Sequence, residues 1–207
     1  MRHLLLVIFT YLTLSVYGQD YPFAKNFING TIILKDSTQL TGQIKWYPHQ
    51  NEKLKFRENE NSKIKKYSPE DLIIFKTDTL NFVSLFDLEV YSDNYALLGR
   101  TSKIKNTFGQ LLDSGSYNIY FVLITGVDAI SGAIQIYPNF YFERKLDGKF
   151  HYAAYPFGVR MNDKRYEKAK DNLYTFFKDY PQLLEKIKAY KKQNNFFEII
   201  ELMETLN

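Results

Sequence analysis

NFYFERKLDGKFHYAAY, residues 139–155, places Asp147-Gly148 between two aromatic-rich runs. Asp-Gly suits a two-residue hairpin connection, because both central residues of that turn take positive φ. The stretch therefore reads as a β-hairpin with strands over Asn139–Lys145 and Phe150–Tyr155. Pro138 separates it from a further strand over Ala133–Tyr137. Upstream, in Ser116–Leu123, Ile119, Phe121 and Leu123 alternate with Asn118, Tyr120 and Val122. Apolar residues on both faces suit a central strand. Downstream of Pro156 the period becomes helical. Over Asp163–Phe177, Tyr166, Ala169, Leu173, Phe176 and Phe177 recur at spacings of three and four, the stripe of an amphipathic helix. A second helix is expected to open at Asp179, with Pro181 in its first turn and Leu183, Leu184 and Ile187 on one face. Asn195 and Glu198 have capping-box spacing. Phe196, Ile199, Ile200 and Met203 then predict a third, docked helix.

The N-terminal half reads as short strands. Gly30–Lys35 is β-branched and is followed by the turn cluster Asp36-Ser37-Thr38. Leu40, Gly42, Ile44 and Trp46 alternate with polar residues until Pro48, a half-buried strand. Lys53–Arg57 and Ile64–Tyr67 flank the turn Asn59–Ser62. Ser68-Pro69-Glu70-Asp71 has the residue order of a helix start, so one helical turn is expected to feed a strand over Leu72–Phe75. Leu80–Leu85 is a further strand, and Asp87–Phe108 carries no sustained period. Gln19–Asn26 reads as a loose leader. Asn29-Gly30-Thr31, formally a glycosylation acceptor, reads as a turn before the first strand. The fold class is α+β. A β-rich body, a small barrel-like N-terminal sheet continued by an antiparallel sheet, carries two or three C-terminal α-helices packed on it.

Residues 1–18, MRHLLLVIFTYLTLSVYG, combine basic Arg2, the apolar run Leu4–Val16, and Val16 and Gly18 at the −3 and −1 positions before Gln19. This is signal-peptide grammar. The run is shorter than the roughly 20 residues that a membrane span needs. The expected division is a signal peptide over 1–18, a β-rich domain over 19–158 and a C-terminal helical segment over 159–207. The expected location is the periplasm, the outer-membrane surface or the exterior. No membrane-spanning segment is expected. A transmembrane β-barrel would need strands of about 9–11 residues throughout, and residues 27–85 read as shorter ones.

The 207 residues include no Cys, which removes thiol nucleophiles, thiolate zinc sites and disulfides. The net charge of +4 is mixed along the chain, too weak to point to nucleic acid. His49 and His151 follow the leader without metal-ligand spacing. Asp113-Ser114-Gly115-Ser116 lacks a nucleophile elbow and reads as a turn. Glu70 and Asp71 read as helix-cap acids. No catalytic residue, cofactor or metal is therefore assigned. One binding face is suggested: Lys53, Lys55, Arg57, Lys63, Lys65 and Lys66 on two adjacent short strands, with Tyr47 and Tyr67 beside them. Such a face suits a polyanion, or is a solvated edge whose lysines prevent aggregation. The aromatic surplus over residues 117–157 suits cross-strand packing, or sugar and protein contacts where rings face out.

In motif order the chain resembles uncharacterised exported proteins of Bacteroidetes-type bacteria. The residues that carry this are Gly30–Asp36 leading to Leu40–Ile44, Ser68–Leu72 before an Ile-Phe strand, the Gly115 strand start with its Tyr-rich sequel, and Phe177–Leu183 with Phe196–Leu206. The first half is also similar in pattern to SH3-like or Sm-like barrels. The resemblance implies no activity, catalytic residue or ligand. The expected function is a non-enzymatic binding or scaffolding module of the envelope, its partner an envelope glycan or another envelope protein. The alternatives are a hydrolase acting on envelope glycan or lipid through carboxylates, and a polyanion-binding barrel.

Overall fold

The structure, a computed structural model, describes residues 22–47, 53–90, 102–115, 117–127, 134–146, 149–155, 163–191, 202 and 205. The signal-peptide segment, His49 and most of the expected third helix lie outside them. Ten strands form one open antiparallel sheet. They are β1 Ile28–Leu34, β2 Gln39–Lys45, β3 Leu54–Arg57, β4 Lys65–Tyr67, β5 Leu72–Lys76, β6 Asn81–Val90, β7 Ser102–Asp113, β8 Asn118–Val127, β9 Ile134–Leu146 and β10 Lys149–Ala154. Their order is β10-β9-β8-β7-β6-β5-β1-β2-β3-β4. The helices are α1 Pro22–Lys25, α2 Asp163–Phe176 and α3 Pro181–Ala189. This is α+β with a β-rich body.

The hairpin that opened the sequence reading is present. Leu146 pairs with Lys149 and Ala154 with Tyr141, which leaves Asp147-Gly148, outside the described residues, between the strands. The central strand is β8, paired with β7 and β9. Its alternation separates two cores. Ile119 and Phe121 join Phe140, Phe142, Leu173, Phe177, Leu183, Ile187 and Leu202 on one face. Tyr120, Val122 and Ile124 join Leu85, Leu88, Val90, Ile104 and Tyr141 on the other. Leu202, fully buried, was not on the expected C-terminal stripe.

Helix α2 crosses the β10 edge. Tyr166 and Ala169 in its first half belong to the second core, Leu173 and Phe176 in its last turn to the first. That shields the second half of β10, one of the two edges at which an open sheet recruits foreign strands, while Lys149–His151 stay exposed. The other edge, β4, is three residues long and carries Lys65 and Lys66.

A third core fills the N-terminal half: Phe23, Ile32, Ile44, Trp46, Leu54, Phe56, Leu72, Phe75, Phe82 and Phe108. Phe23 corrects the expectation of a loose leader. It is fully buried, on α1, and its carbonyl accepts the Trp46 N–H at 2.9 Å. Asn29-Gly30-Thr31 is also not a turn. It lies inside β1, with Asn29 opposite Gln43 and Gly30 opposite Gly42. The hairpin turn comes later, at Asp36-Ser37, where Ser37 has φ 68° and its N–H donates to the Leu34 carbonyl at 2.9 Å.

Two helix-start expectations are corrected in the same way. Ser68–Asp71 is a turn, closed by the Asp71 N–H on the Ser68 carbonyl at 3.0 Å. The Asp71 carboxylate accepts both the N–H and the hydroxyl of Ser68, each at 2.7 Å. These bonds hold its carboxyl below the usual range. Helix α3 begins after Tyr180, which makes no side-chain cap, while Asp179 pairs with Arg144 at 3.3 Å.

Gly42 marks a close approach of β2 to the next strand. A Cβ there would collide with the Arg57 carbonyl oxygen and meet Phe56 at 2.9 Å. Backbone cannot rotate away as a side chain can, so Gly42→Ala should cost about 1–3 kcal/mol by overpacking. Urea unfolding would measure it, and an unchanged midpoint would show that β2 and β3 separate freely.

Candidate functional site

The eight residues of the expected binding face do not share one face. Lys55 and Arg57 alternate with the buried Leu54 and Phe56 on β3, so they point outward. Lys66 stands opposite Lys55 and shares that face. Lys65 is opposite Phe56 and Tyr67 opposite Leu54. Tyr67 therefore turns inward, its ring 6.3 Å from that of Phe56. Lys53 and Lys63 are exposed in the flanking segments. Tyr47, past the end of β2, is 52% exposed.

A different place on the molecule has the shape of a site. A cavity of about 410 Å³ lies between β6 and β10, within the size range of small-ligand pockets. Phe86, Asp87 and Glu89 of β6 line one wall, and Phe150, His151, Tyr152, Ala153 and Ala154 of β10 the other. Tyr141 and Asn172 complete the lining. The two strands are far apart in sheet order, yet they approach one another in space. The Tyr141 hydroxyl, donating to the Glu89 carbonyl at 3.0 Å, ties β9 to β6 beneath this gap.

Asp87 shapes the first wall. It has φ 55° within a strand, a left-handed conformation that Asp tolerates better than most residues. The pleat changes parity there. Val83 and Leu85 face the second core before it, Leu88 and Val90 after it. The second wall carries Phe150, 58% exposed, with the Lys145 ammonium 5.8 Å from its ring centre. The Lys35 ammonium stands 4.7 Å from the Phe86 ring centre on the opposite wall.

Behind Tyr152 lies a buried acid. Glu143 is 5% exposed and accepts the Tyr120 hydroxyl at 2.6 Å and the Asn118 amide at 2.7 Å. Tyr152 also hydrogen-bonds to it. Burial, reinforced by this carboxylate, pushes the Tyr120 and Tyr152 phenols well above their ordinary range. Both stay protonated as donors, and Glu143 is fully engaged in holding them.

Elsewhere Ser114 sits in the connection from β7 to β8, its N–H bonded to the Asp113 carboxylate at 2.7 Å. Glu70, on the Ser68–Asp71 turn, accepts the side-chain amide of Asn106. Among the described residues no three His, Asp or Glu side chains gather closely enough to hold a metal ion. No described helix is long and apolar enough to cross a membrane.

The cavity was missed in the sequence because its walls come from separate runs of chain. The one local signal was the aromatic surplus. Among the described residues, Tyr117, Tyr120, Phe140, Tyr141, Phe142 and Tyr155 are buried, Tyr152 is half-buried and Phe150 is exposed. No family model matches the chain, and neither curated proteins nor solved structures yield a match to it.

Proposed function

We propose that the chain is an exported envelope protein that binds, without turning over, a neutral or amino-sugar segment of an envelope glycan in the cavity between β6 and β10. The observation that carries this reading is the pairing of an exposed ring, Phe150, with Asp87, Glu89 and Asn172 around one cavity. A sugar ring presents C–H groups on one face and hydroxyls at its rim. It stacks on an aromatic ring while side-chain oxygens and nitrogens take the hydroxyls. Two carboxylates on one wall disfavour an acidic sugar there.

Binding is favoured over hydrolysis by the position of those carboxylates. Two-carboxylate glycosidases flank the scissile bond with one acid on each side. Here the acids lining the cavity, Asp87 and Glu89, both come from β6. Export is supported by Arg2, the Leu4–Val16 run and the Val16/Gly18 site, and by the resemblance in motif order to exported proteins of Bacteroidetes-type bacteria.

The barrel-like reading of the N-terminal half belongs to the same proposal. Four strand intervals separate β4 from β5, about 19 Å in a flat sheet. The chain joins them through the tight turn Ser68–Asp71 alone. A curled sheet satisfies both facts.

Titration of the protein with N-acetylglucosamine oligosaccharides, followed by amide NMR, tests the reading. Shifts should concentrate at residues 86–89 and 150–154. Phe150→Ala should weaken binding by about tenfold, the loss of one stacking ring. Shifts confined elsewhere, or cleavage of the oligosaccharide, would overturn it.

A further inference from the structure

We propose a second, independent binding surface: the outward face of β2, β3 and β4 takes an acidic polysaccharide laid across the strands on Lys45, Lys55 and Lys66. Lys45 stands directly opposite Lys55, and Lys55 directly opposite Lys66. Three ammonium groups from three adjacent strands thus follow one another across the sheet, with a strand spacing of about 4.8 Å. An anionic chain lying along the row meets a lysine on each of the three strands.

Arg57 extends the surface. It lies two residues from Lys55 on the same face of β3, and its guanidinium is held in place. The Nε donates to the Gln43 side-chain oxygen at 2.8 Å, Nη1 to the Glu60 carbonyl at 3.3 Å, and Cζ lies 4.2 Å from the Phe27 ring centre. Of the acids near the row in sequence, Glu58 and Glu60 sit in the turn beyond Arg57, Glu70 and Asp71 in the turn after β4, and Glu52 lies outside the described residues.

The occupant follows from the arrangement of charge. The cations form a line, whereas a small anion is held by donors converging on one point. Single-stranded nucleic acid needs a succession of exposed rings on which bases stack; the Phe27 ring lies against Arg57, and Tyr47, two residues beyond Lys45, offers one exposed ring and not a series. A polysaccharide carries its acid groups on successive rings along a line and needs no stacking platform.

Dextran sulfate is the probe, with neutral dextran and single-stranded DNA beside it and the full chain as the protein. Binding to dextran sulfate should weaken steeply with added salt, and neutral dextran should not bind. The variant Lys45→Gln/Lys55→Gln/Lys66→Gln should lose at least about tenfold in affinity, whereas Lys164→Gln/Lys168→Gln/Lys178→Gln, with the same net charge, should stay within about twofold. Phe150→Ala should retain dextran sulfate binding, which separates this surface from the cavity. Equal losses in the two triple variants, or DNA binding as tight as that of dextran sulfate, would each overturn the proposal.

Discussion

Phe75→Ala should lower the unfolding free energy by about 3–5 kcal/mol, the range for removing a large aromatic side chain from a close-packed core. Phe75 is fully buried and is the ring on which the N-terminal core converges. It stacks on Phe82 at 4.7 Å between centroids and meets Trp46 at 5.4 Å, Phe108 at 5.1 Å and Phe23 at 6.3 Å edge-on. Those neighbours come from α1, the residue just after β2, β6 and β7, so no single element can relax into the space left behind. Denaturant unfolding followed by Trp46 fluorescence would measure the loss. A change below about 1 kcal/mol would mean that the rings collapse onto one another, contrary to the cavity cost expected of a rigid interior.

Glu143→Ala is the second large effect. The substitution strips the acceptor from Tyr120 and Tyr152, at about 1–3 kcal/mol for each buried hydroxyl left unpaired. Glu143→Gln keeps one acceptor oxygen and should cost less. The two phenols also set an alkaline limit. Their folded pKa values are raised above the ordinary value near 10, first by burial and then by Glu143. Their contribution to stability is therefore intact below pH 10 and is lost as the pH climbs past it. In Glu143→Gln the carboxylate's share of that shift disappears, so stability should fall less steeply above pH 10. Thermal melts across pH 8–12 would follow both effects. An alanine variant that melts with the native protein would show that solvent replaces the carboxylate completely.

Local chemistry was legible. The Asp-Gly hairpin, the two-faced β8 and the helix over Asp163–Phe176 each followed from periodicity or turn residues within a short window. The stretch Asp87–Phe108 was not, and Asp87 supplies the reason. Its positive φ resets the pleat, so Val83 and Leu85 share a face with Leu88 and Val90, and the alternation that marks a strand breaks in mid-strand. Thr107, Gly109 and Gln110 further blur β7, being buried without being large and apolar. Phe23 was missed because a lone aromatic in a short helix has no period to read. The cavity was out of reach for a more general reason. Phe86–Glu89 and Phe150–Ala154 are remote in the chain and four places apart in the sheet yet line one cavity, and no short window of residues encodes that approach. The lysine row was half visible. The alternation in β3 pointed to Lys55, while Lys45 entered only with the register of β2 against β3.

The strand order also bears on how the chain reaches its fold. Among the described strands, every neighbouring pair but one joins segments consecutive in the chain, and the exception is β1 with β5. Two meanders, β1–β4 and β5–β10, can therefore each assemble through local contacts, which form early at low entropic cost. Docking β5 onto β1, with Ile32 opposite Phe75, must close the loop that contains β2, β3 and β4. That pairing is the slow step the topology imposes. It also brings Phe23, Trp46, Phe75 and Phe82 together, so the aromatic cluster forms in the same event that joins the two meanders.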